Sequence, residues 1–291
     1  RLKVFQSVAK NLSFTKASQE LFVSQPAITK HIQELEATYQ TRLFDRQGSK
    51  ISLTESGRLL LEHCERILED YKRLEYEMHL LHNEYIGELK LGASTTIAQY
   101  VLPPLLGSFI GKFPQVNLSL LNGNSREIEA ALQEHRIDLG LVEGVFRLPN
   151  LKYTTFLEDE LVAVVHSKSR LQLPEEITPQ DLPAIPLVLR ERGSGTLDVI
   201  ERSLQKHGVK LSSLHVLMYL GSTESIKLFL ENSDCMGIVS IRSICKELAA
   251  GTFRVVEIKD MPMLRDFCFV QLQGQEGGLS QAFMNYMFMS R

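Results

Sequence analysis

The sequence lacks any long apolar run. Its longest apolar stretches, such as YVLPPLLGSFIG, are interrupted by proline or glycine, whereas a membrane-spanning helix needs about 20 consecutive apolar residues. No signal-peptide pattern opens the chain, and Arg1 already lies in a helical pattern, so we expect a few native residues to precede it. We expect no membrane association. The 291 residues, 44% of them hydrophobic, are enough for two or three packed units.

Cysteine is scarce, and its spacing indicates no metal or redox chemistry. The four cysteines form neither a CxxC motif nor the spacing of zinc ligands. We expect buried free thiols in a cytoplasmic protein, without a metal or other cofactor.

Catalytic motifs are also missing. The sequence contains no GxSxG, P-loop or HExxH motif and no GxGxxG after a strand, and its eight histidines are scattered. We therefore expect no enzymatic activity, although an enzyme is the chief alternative for the C-terminal half. A solute-binding protein of a transporter is a second alternative, and the absence of an export signal argues against it.

Positive charge is in slight deficit overall but not at the N-terminal end. The whole chain has a net charge of −3, while residues 1–54 hold eight Lys or Arg against four Asp or Glu, a net +4 that leaves −7 for the remainder. A basic end on an acidic body suits a protein that contacts nucleic-acid phosphates with that end only.

Residues 1–55 are predicted to form a winged helix-turn-helix domain. Apolar spacing predicts a first helix that ends near Asn11, a second that begins at Ser13 or Thr15, and a third, SQPAITKHIQELEATY, capped by Ser24. The third helix has its apolar residues on one face, which we assign to the core, and its polar residues elsewhere, as in a recognition helix that enters the major groove. The segment TRLFDRQGSKISLT then predicts a hairpin wing with a basic tip. The predicted DNA contacts are Thr15, Ser24, Gln25, Pro26, Ala27, Thr29, Lys30, Gln33, Arg46 and Lys50.

This N-terminal region resembles the LysR-type transcriptional regulators. The family pattern SFT-x-A-A-x-x-L-x-V-SQPA-[LI]-[ST]-x-x-I-x-x-LE, followed by LF-x-R and LT-x-x-G, matches SFTKASQELFVSQPAITKHIQELE, LFDR and LTESG here. One departure is Lys30, where the family often has Arg, so bidentate recognition of a base is lost and Lys30 contacts either a base or a phosphate. The resemblance implies a sequence-specific DNA-binding regulator.

Residues 56–85 are predicted to form a linker helix that dimerises the protein. Their apolar residues follow a heptad repeat, which is typical of helices that pair with another helix. The alternative is a long helix packed on its own domain. The resemblance implies dimerisation for the matching segment, since one head with few base contacts gives little operator specificity. The predicted seam residues are Leu60, Cys64, Ile67, Tyr71, Leu74, Met78, Leu81 and Tyr85.

Residues 86–291 are predicted to form an α/β domain, since short apolar strands alternate with helical stretches. This alternation favours largely parallel sheets. The resemblance implies a two-lobed effector-binding domain of the type 2 periplasmic-binding-protein fold. Lobe one is expected at about 86–162 and 264–291, and lobe two at about 163–263.

Four predicted strand-to-helix junctions in this domain are rich in hydroxyl groups, and ligands of open α/β sheets bind at such junctions. Helix N-termini with hydroxyl caps favour a small anion, whereas each residue taken alone has about even odds of being only an N-cap. Glu143, at another strand end, faces the cleft and selects a donor group of the ligand, or is merely solvated. The candidate effector-binding residues are Ser94, Thr95, Thr96, Asn124, Ser125, Glu143, Ser194, Gly195, Thr196, Ser222 and Thr223, with Arg190 and Arg192 as candidate counter-charges.

Together these features predict a regulator that binds an inverted-repeat operator as a homodimer or homotetramer and responds to a small, anionic effector between the lobes. RNA polymerase is a further candidate partner. The segment STTIAQYVLP resembles the branch of the family that controls sulfur assimilation, cysteine synthesis or carbon fixation.

Overall fold

The chain forms two compact units, residues 1–84 and 85–291. This computed structural model describes residues 1–47, 50–80, 85–144, 146–274 and 277–290. In the described part of the chain, no helix has both the length and the apolar character needed to cross a membrane.

The first unit consists of helices and a small hairpin. Ser13 begins the second helix, because its side chain accepts a hydrogen bond from the Lys16 amide. Pro26 lies in the first turn of the third helix, where the missing N–H costs no intrahelical bond. The elements are α1 (Leu2–Asn11), α2 (Phe14–Glu20), α3 (Gln25–Tyr39), β1 (Phe44–Gln47), β2 (Lys50–Leu53) and α4 (Glu55–Leu80).

Several family-pattern residues hold this first unit together. The Glu36 side chain accepts a hydrogen bond from the Leu43 amide at 2.8 Å, which ties α3 to the hairpin. Phe44 packs its ring against Phe5 at 5.5 Å between ring centroids. A Cβ at Gly57 would lie 2.1 Å from the Leu43 carbonyl oxygen, so only glycine fits in the first turn of α4.

Helix α4 divides its apolar residues between two surroundings. Residues in its first half, Cys64 among them, pack on the core of the first unit, while Ile67, Tyr71, Leu74 and Met78 are about half exposed. The prediction that Cys64 lies on a dimer seam is therefore wrong. Its side chain is fully buried beneath α1, with Sγ 3.4 Å from the Leu2 carbonyl oxygen. Leu60 packs partly on the same core, and Leu81 lies outside the described residues.

The second unit alternates strands and helices. Its strands are β3 (Gly87–Ser94), β4 (Val116–Gly123), β5 (Leu139–Glu143), β6 (Leu151–His166), β7 (Glu176–Ile177), β8 (Leu187–Arg190), β9 (Val216–Leu220), β10 (Met236–Ser240), β11 (Phe253–Ile258) and β12 (Met263–Leu272). Its helices are α5 (Leu102–Lys112), α6 (Ser125–Gln133), α7 (Gly195–Lys206), α8 (Thr223–Glu231), α9 (Cys245–Ala249) and α10 (Gly278–Met289), and a π-helix (Ile97–Val101) precedes α5.

These strands form a mixed sheet with the order β4-β3-β5-β12-β6-β10-β8-β9, and β11 joins β6 to β7. Strand β3 is parallel to β4 and β5, and β8 is parallel to β9 and β10. The long β6–β12 pair is antiparallel, so the expectation of largely parallel sheets fails at the centre. Antiparallel pairing follows from the topology, because β6 takes the chain from the side of β3–β5 to the side of β8–β10, and β12 brings it back.

The paired strands β6 and β12 connect two groups of buried apolar residues, one on each side of the sheet's centre. One group, with Ile128 and Val270, lies on the side of β3–β5 and α6, and we call this side lobe one. The other, with Leu187 and Ile238, lies among β8, β10 and α7, and we call this side lobe two. The predicted crossing points near residues 163 and 263 fall within β6 and at the start of β12.

Two further expectations fail in this unit. Tyr85, expected on the linker seam, packs its ring at a tilt against Phe113 of the second unit, with 4.6 Å between the ring centroids. Cys245, expected to be buried like the other cysteines, is an exposed free thiol in the first turn of α9.

Candidate functional site

The N-terminal end of α3 presents a polar, solvent-exposed face. Apolar Ile28, Ile32 and Leu35 are buried, which turns the opposite side of the helix outward. Ser24 makes no capping hydrogen bond with its side chain, so its hydroxyl is free to bind another group. The predicted contacts Ser24, Gln25, Pro26, Lys30 and Gln33 are exposed, and Ala27 and Thr29 are half-buried on the same helix.

Unpaired positive charge lies on α2 and α3. Lys30 on α3 and Lys16 on α2 form no ion pair with a described residue, whereas Arg1 is paired with Glu34 at 3.0 Å. Thr15 is exposed in the first turn of α2. Arg46 and Lys50 lie on β1 and β2, and their side chains are outside the described residues.

Sequence reasoning missed Phe22 in the turn between α2 and α3. It has a positive φ of 53° and is 95% exposed, next to the partly exposed Val23. A non-glycine residue with positive φ is uncommon. The exposed ring of Phe22 presents an apolar surface beside the start of α3.

In the second unit, the structure brings the four predicted junctions together. The Thr95 hydroxyl donates to the Gly123 carbonyl oxygen at 3.2 Å, which joins the ends of β3 and β4. The Arg126 amide donates to the Gly193 carbonyl oxygen at 3.3 Å, which links α6 of lobe one to the loop before α7 of lobe two. Arg190 reaches the Gly221 carbonyl oxygen and thereby the start of α8.

Three of these junctions use their polar residue as a helix cap. Asn124 forms a capping box with Glu127 at the start of α6, Ser194 caps α7 and Ser222 caps α8. Ser125 is buried and donates to the Glu143 carbonyl oxygen at 2.7 Å, and Thr223 is buried in the first turn of α8. The interpretation of these residues as helix caps is thus correct for Asn124, Ser194 and Ser222.

The junction after β3 is different, because it leads into a π-helix and has no cap. Ser94 is buried and its Oγ has no hydrogen-bond partner among the described residues. Arg190 is buried, pairs with Glu191 through Nε at 2.8 Å, and donates from Nη2 to Thr95, while its Nη1 has no partner among those residues. Buried polar groups without partners are rare and costly, so these two atoms are candidate ligand contacts.

A buried charged network lies between the lobes. Glu143 Oε1 accepts hydrogen bonds from the Thr96 and Thr196 hydroxyls at 3.2 and 3.3 Å and lies 3.2 Å from Arg265 Nη1. Arg265 also donates through Nε to Asp159 at 2.8 Å. Sequence reasoning missed both Arg265 and Asp159. The sequence places charges within mainly apolar strands, EDE in FLEDELVAVV and RD in MLRDFCFV, but this signal does not single out Asp159 and Arg265.

Two close approaches keep the lobes in contact. A Cβ at Gly195 would lie 2.0 Å from the Glu143 carbonyl oxygen, so α7 begins directly against β5. Tyr100 of the π-helix donates a hydrogen bond to Glu224 on α8, and Lys227 bonds the same carboxylate at 2.9 Å. Burial and the Glu224 hydrogen bond raise the pKa of Tyr100. π-Helical turns are frequent at functional sites.

Comparison with known protein families accounts for both units. Residues 1–58 match the bacterial regulatory helix-turn-helix protein family of the LysR type, and residues 82–288 match the LysR substrate binding domain. The chain belongs to the LysR family of transcriptional regulators. The resemblance drawn from the N-terminal motif and the predicted two-part fold are confirmed.

Individual relatives agree with this assignment. This LysR-type regulator is 34% identical to the HTH-type transcriptional regulator YeiE of Escherichia coli K12 over 89% of the chain and 85% of YeiE. It is 29% identical to the regulator CysL of Bacillus subtilis over 92% of the chain and 89% of CysL. The regulatory domain of Synechocystis CcmR, whose structure holds 2-PG, covers 70% of the chain at 28% identity, with a TM-score of 0.63 and 97% of that domain covered. These matches make the chain a DNA-binding transcription regulator with an effector-binding domain.

Proposed function

We propose that this LysR-type regulator binds an inverted-repeat operator as a dimer or a pair of dimers, with α3 in the major groove. The exposed polar start of α3 carries this part of the proposal, because helix packing holds Gln25 and Lys30 there and neither has a partner carboxylate among the described residues. Gln25 is of the type that pairs with adenine, and Lys30 binds guanine or a phosphate. The half-exposed apolar residues of α4 support pairing of two chains.

Operator binding tests this part directly. The variants Gln25→Ala and Lys30→Ala are each expected to weaken specific binding by about 5- to 150-fold, because a good base contact contributes about 1–3 kcal/mol. Footprinting and circular dichroism would show the loss of binding and the retained fold. Lys259→Ala removes an exposed charge from the second unit and is the matched control. Unaltered footprints from both α3 variants would refute the assignment.

We further propose that a small anion binds between the lobes and controls the regulator. The unpartnered Ser94 Oγ and Arg190 Nη1 support this, because both are buried without a hydrogen-bond partner among the described residues, Ser94 at the end of β3 in lobe one and Arg190 at the end of β8 in lobe two. The presence of 2-PG in the CcmR regulatory domain supports a small-molecule ligand for this chain. Sulfate, O-acetylserine and short carboxylic acids are suitable first probes.

A thermal-shift screen separates ligand binding from folding. Ser94→Ala should leave the melting temperature without ligand unchanged, because the Ser94 hydroxyl has no partner to lose. It should reduce the stabilisation by a binding acid, which follows mass action. Ser119→Ala, an exposed position on β4, is the control. If the Ser94 variant responds to the acid like the wild-type protein, the anion does not bind at this junction.

A further inference from the structure

The first unit has a groove of about 400 Å³ between α3 and the start of the hairpin. Its floor is apolar, because Phe14, Ile32 and Phe44 are buried there, and the rings of Phe14 and Phe44 meet edge to face with 5.9 Å between their centroids. A packed floor of this kind fixes the distance between the two walls. The walls are polar and consist of Thr29, Gln33 and Glu36 on α3 and of Arg42 and Asp45 on the hairpin side.

Arg42 is the cation of this groove, and its charge is not neutralised. Its carbonyl oxygen accepts a hydrogen bond from the Thr54 hydroxyl at 2.7 Å, so the backbone at Arg42 is tied to the end of the hairpin. Its side chain is exposed and forms no ion pair with any residue in the described part of the chain, Asp45 included. A guanidinium in this state is available to an anion from outside, and its planar fork suits a phosphate.

Operator DNA places a phosphate in this groove if α3 lies in the major groove, so this step rests on the proposed function. One sugar–phosphate strand separates the major groove of B-DNA from the adjacent minor groove. With α3 in the major groove and the hairpin beside the minor groove, that strand passes between α3 and the hairpin. The groove is the space between these two elements, and Thr29 and Gln33, which are predicted DNA contacts, belong to its wall.

The other polar side chains of the groove differ in what they offer a phosphate. The Gln33 amide group is exposed and forms no hydrogen bond with a described residue, so it is free to donate. The Thr29 hydroxyl already donates to the Gln25 carbonyl oxygen at 3.1 Å. The exposed Asp45 carboxylate has the same sign of charge as a phosphate and works against its binding.

We propose that Arg42 binds a backbone phosphate of the operator in this groove, with the Gln33 amide group as a second donor. The contact fixes the position of α3 along the duplex but reads no base, because every nucleotide carries the same phosphate. It therefore contributes to the binding of operator and unrelated DNA alike, whereas Gln25 and Lys30 at the start of α3 select the operator.

Salt titrations of the full chain on the operator and on an unrelated duplex test the proposal. Arg42→Gln is expected to weaken binding to both duplexes by the same factor and to lower the slope of log K against log salt concentration by about 0.9, the value for one lost phosphate contact. Asp45→Asn is expected to strengthen binding to both duplexes, because it removes a repelling charge. Arg202→Gln, which alters an exposed arginine on α7 of the second unit, is the matched control and should change neither quantity.

Methylphosphonate substitution locates the phosphate, because it removes the charge of one phosphate at a time. One substitution in the operator is expected to weaken wild-type binding and to add no further loss in Arg42→Gln, since the charge and its partner form one interaction. The melting temperature of Arg42→Gln should equal that of the wild-type protein, because the side chain has no partner to lose among the described residues.

Three results would overturn the proposal. They are an unchanged salt slope in Arg42→Gln, a loss of binding to the operator alone, which would make Arg42 a base contact, and methylphosphonate losses that are the same in Arg42→Gln and wild-type protein at every position. Failure of the proposed function is recognised separately, because it leaves the footprints of the Gln25 and Lys30 variants unaltered. If those footprints are lost while Arg42→Gln binds both duplexes like the wild-type protein, only the phosphate contact is refuted.

Discussion

At the scale of single residues, the second unit depends on charges that are hidden from water. Arg265 is fully buried between the carboxylates of Glu143 and Asp159. Desolvating such ions costs several kcal/mol each, and the cost is recovered only while every partner stays in place. The hydroxyls of Thr96 and Thr196 complete the set by bonding the same Glu143 oxygen.

Removing the buried charge of Arg265 should therefore destabilise the fold strongly. Arg265→Met leaves the buried Glu143 carboxylate without a counter-charge and leaves Asp159 with only the half-exposed Arg242, 3.7 Å away, so we expect a loss of about 3–5 kcal/mol in the free energy of unfolding. Urea unfolding of the full chain, followed by circular dichroism, measures it. Arg136→Met breaks an exposed pair with Glu134 and should cost no more than about 1 kcal/mol. Equal losses in the two variants would mean that the buried network contributes no more than a surface pair.

Gly195 is a second residue whose size matters. Gly195→Ala places a methyl group 2.0 Å from the Glu143 carbonyl oxygen, so α7 must move away from β5. Overpacking of this kind costs about 1–3 kcal/mol, which thermal unfolding should show as a lower midpoint. Gly111→Ala on α5 meets nothing within 4 Å and is expected to be neutral or stabilising. A wild-type midpoint for Gly195→Ala would show that the lobes are not held this closely in solution.

At the scale of elements, α4 shows how one helix serves two partners. Its N-terminal part, up to Leu68, covers the core of the first unit, while Ile67, Tyr71, Leu74 and Met78 are half exposed at heptad spacing. An apolar stripe of this kind is stable in water only when another surface covers it, which supports pairing with a second copy of α4.

Leu74 tests this pairing. Leu74→Arg introduces a charge in the middle of the stripe, and sedimentation should show dissociation to smaller species without loss of helix content. Leu264→Arg alters a leucine on β12 that is more exposed than Leu74 and should leave the sedimentation coefficient unchanged. If Leu74→Arg sediments like the wild-type protein, the stripe is not a dimer seam.

How far the sequence predicts these elements depends on the range of the interaction. The helix caps at Ser13 and Asn124 are local, so residue type and spacing were enough to propose them, Ser13 as one of two candidates beside Thr15 and Asn124 at even odds with a ligand contact. The Arg265–Asp159 pair was out of reach, because the two residues become opposite neighbours only through the register of strands 106 residues apart. Cys64 was misassigned for the same reason: its heptad position is local, but its burial depends on α1.

At the scale of the whole molecule, regulation requires that a ligand of the second unit change what the first unit does on DNA. The lobes of the second unit already touch through Thr95 and Arg190, through Tyr100 and Glu224, and through the Glu143 network. Contacts that cross between lobes in this way are the ones that a ligand must strengthen or replace to shift a hinge equilibrium. The coupling need be only about 1–3 kcal/mol.

The interlobe hydroxyls give the sharpest test of this coupling. Replacing Thr95 and Thr196 together by Val removes one hydroxyl from each lobe at nearly constant volume, so we expect operator affinity without ligand to stay within about twofold, while the effect of a binding acid on DNA bending is lost. Bending is measured by gel mobility or energy transfer with the acid that stabilises the wild-type protein most. Because Thr196 also accepts from Arg265 at 2.9 Å, the melting temperature must be recorded to separate lost coupling from lost folding. If the double variant is folded and its DNA bending still responds at the same acid concentration, the regulatory site lies elsewhere. In that case neither hydroxyl is needed for the ligand to join the two lobes.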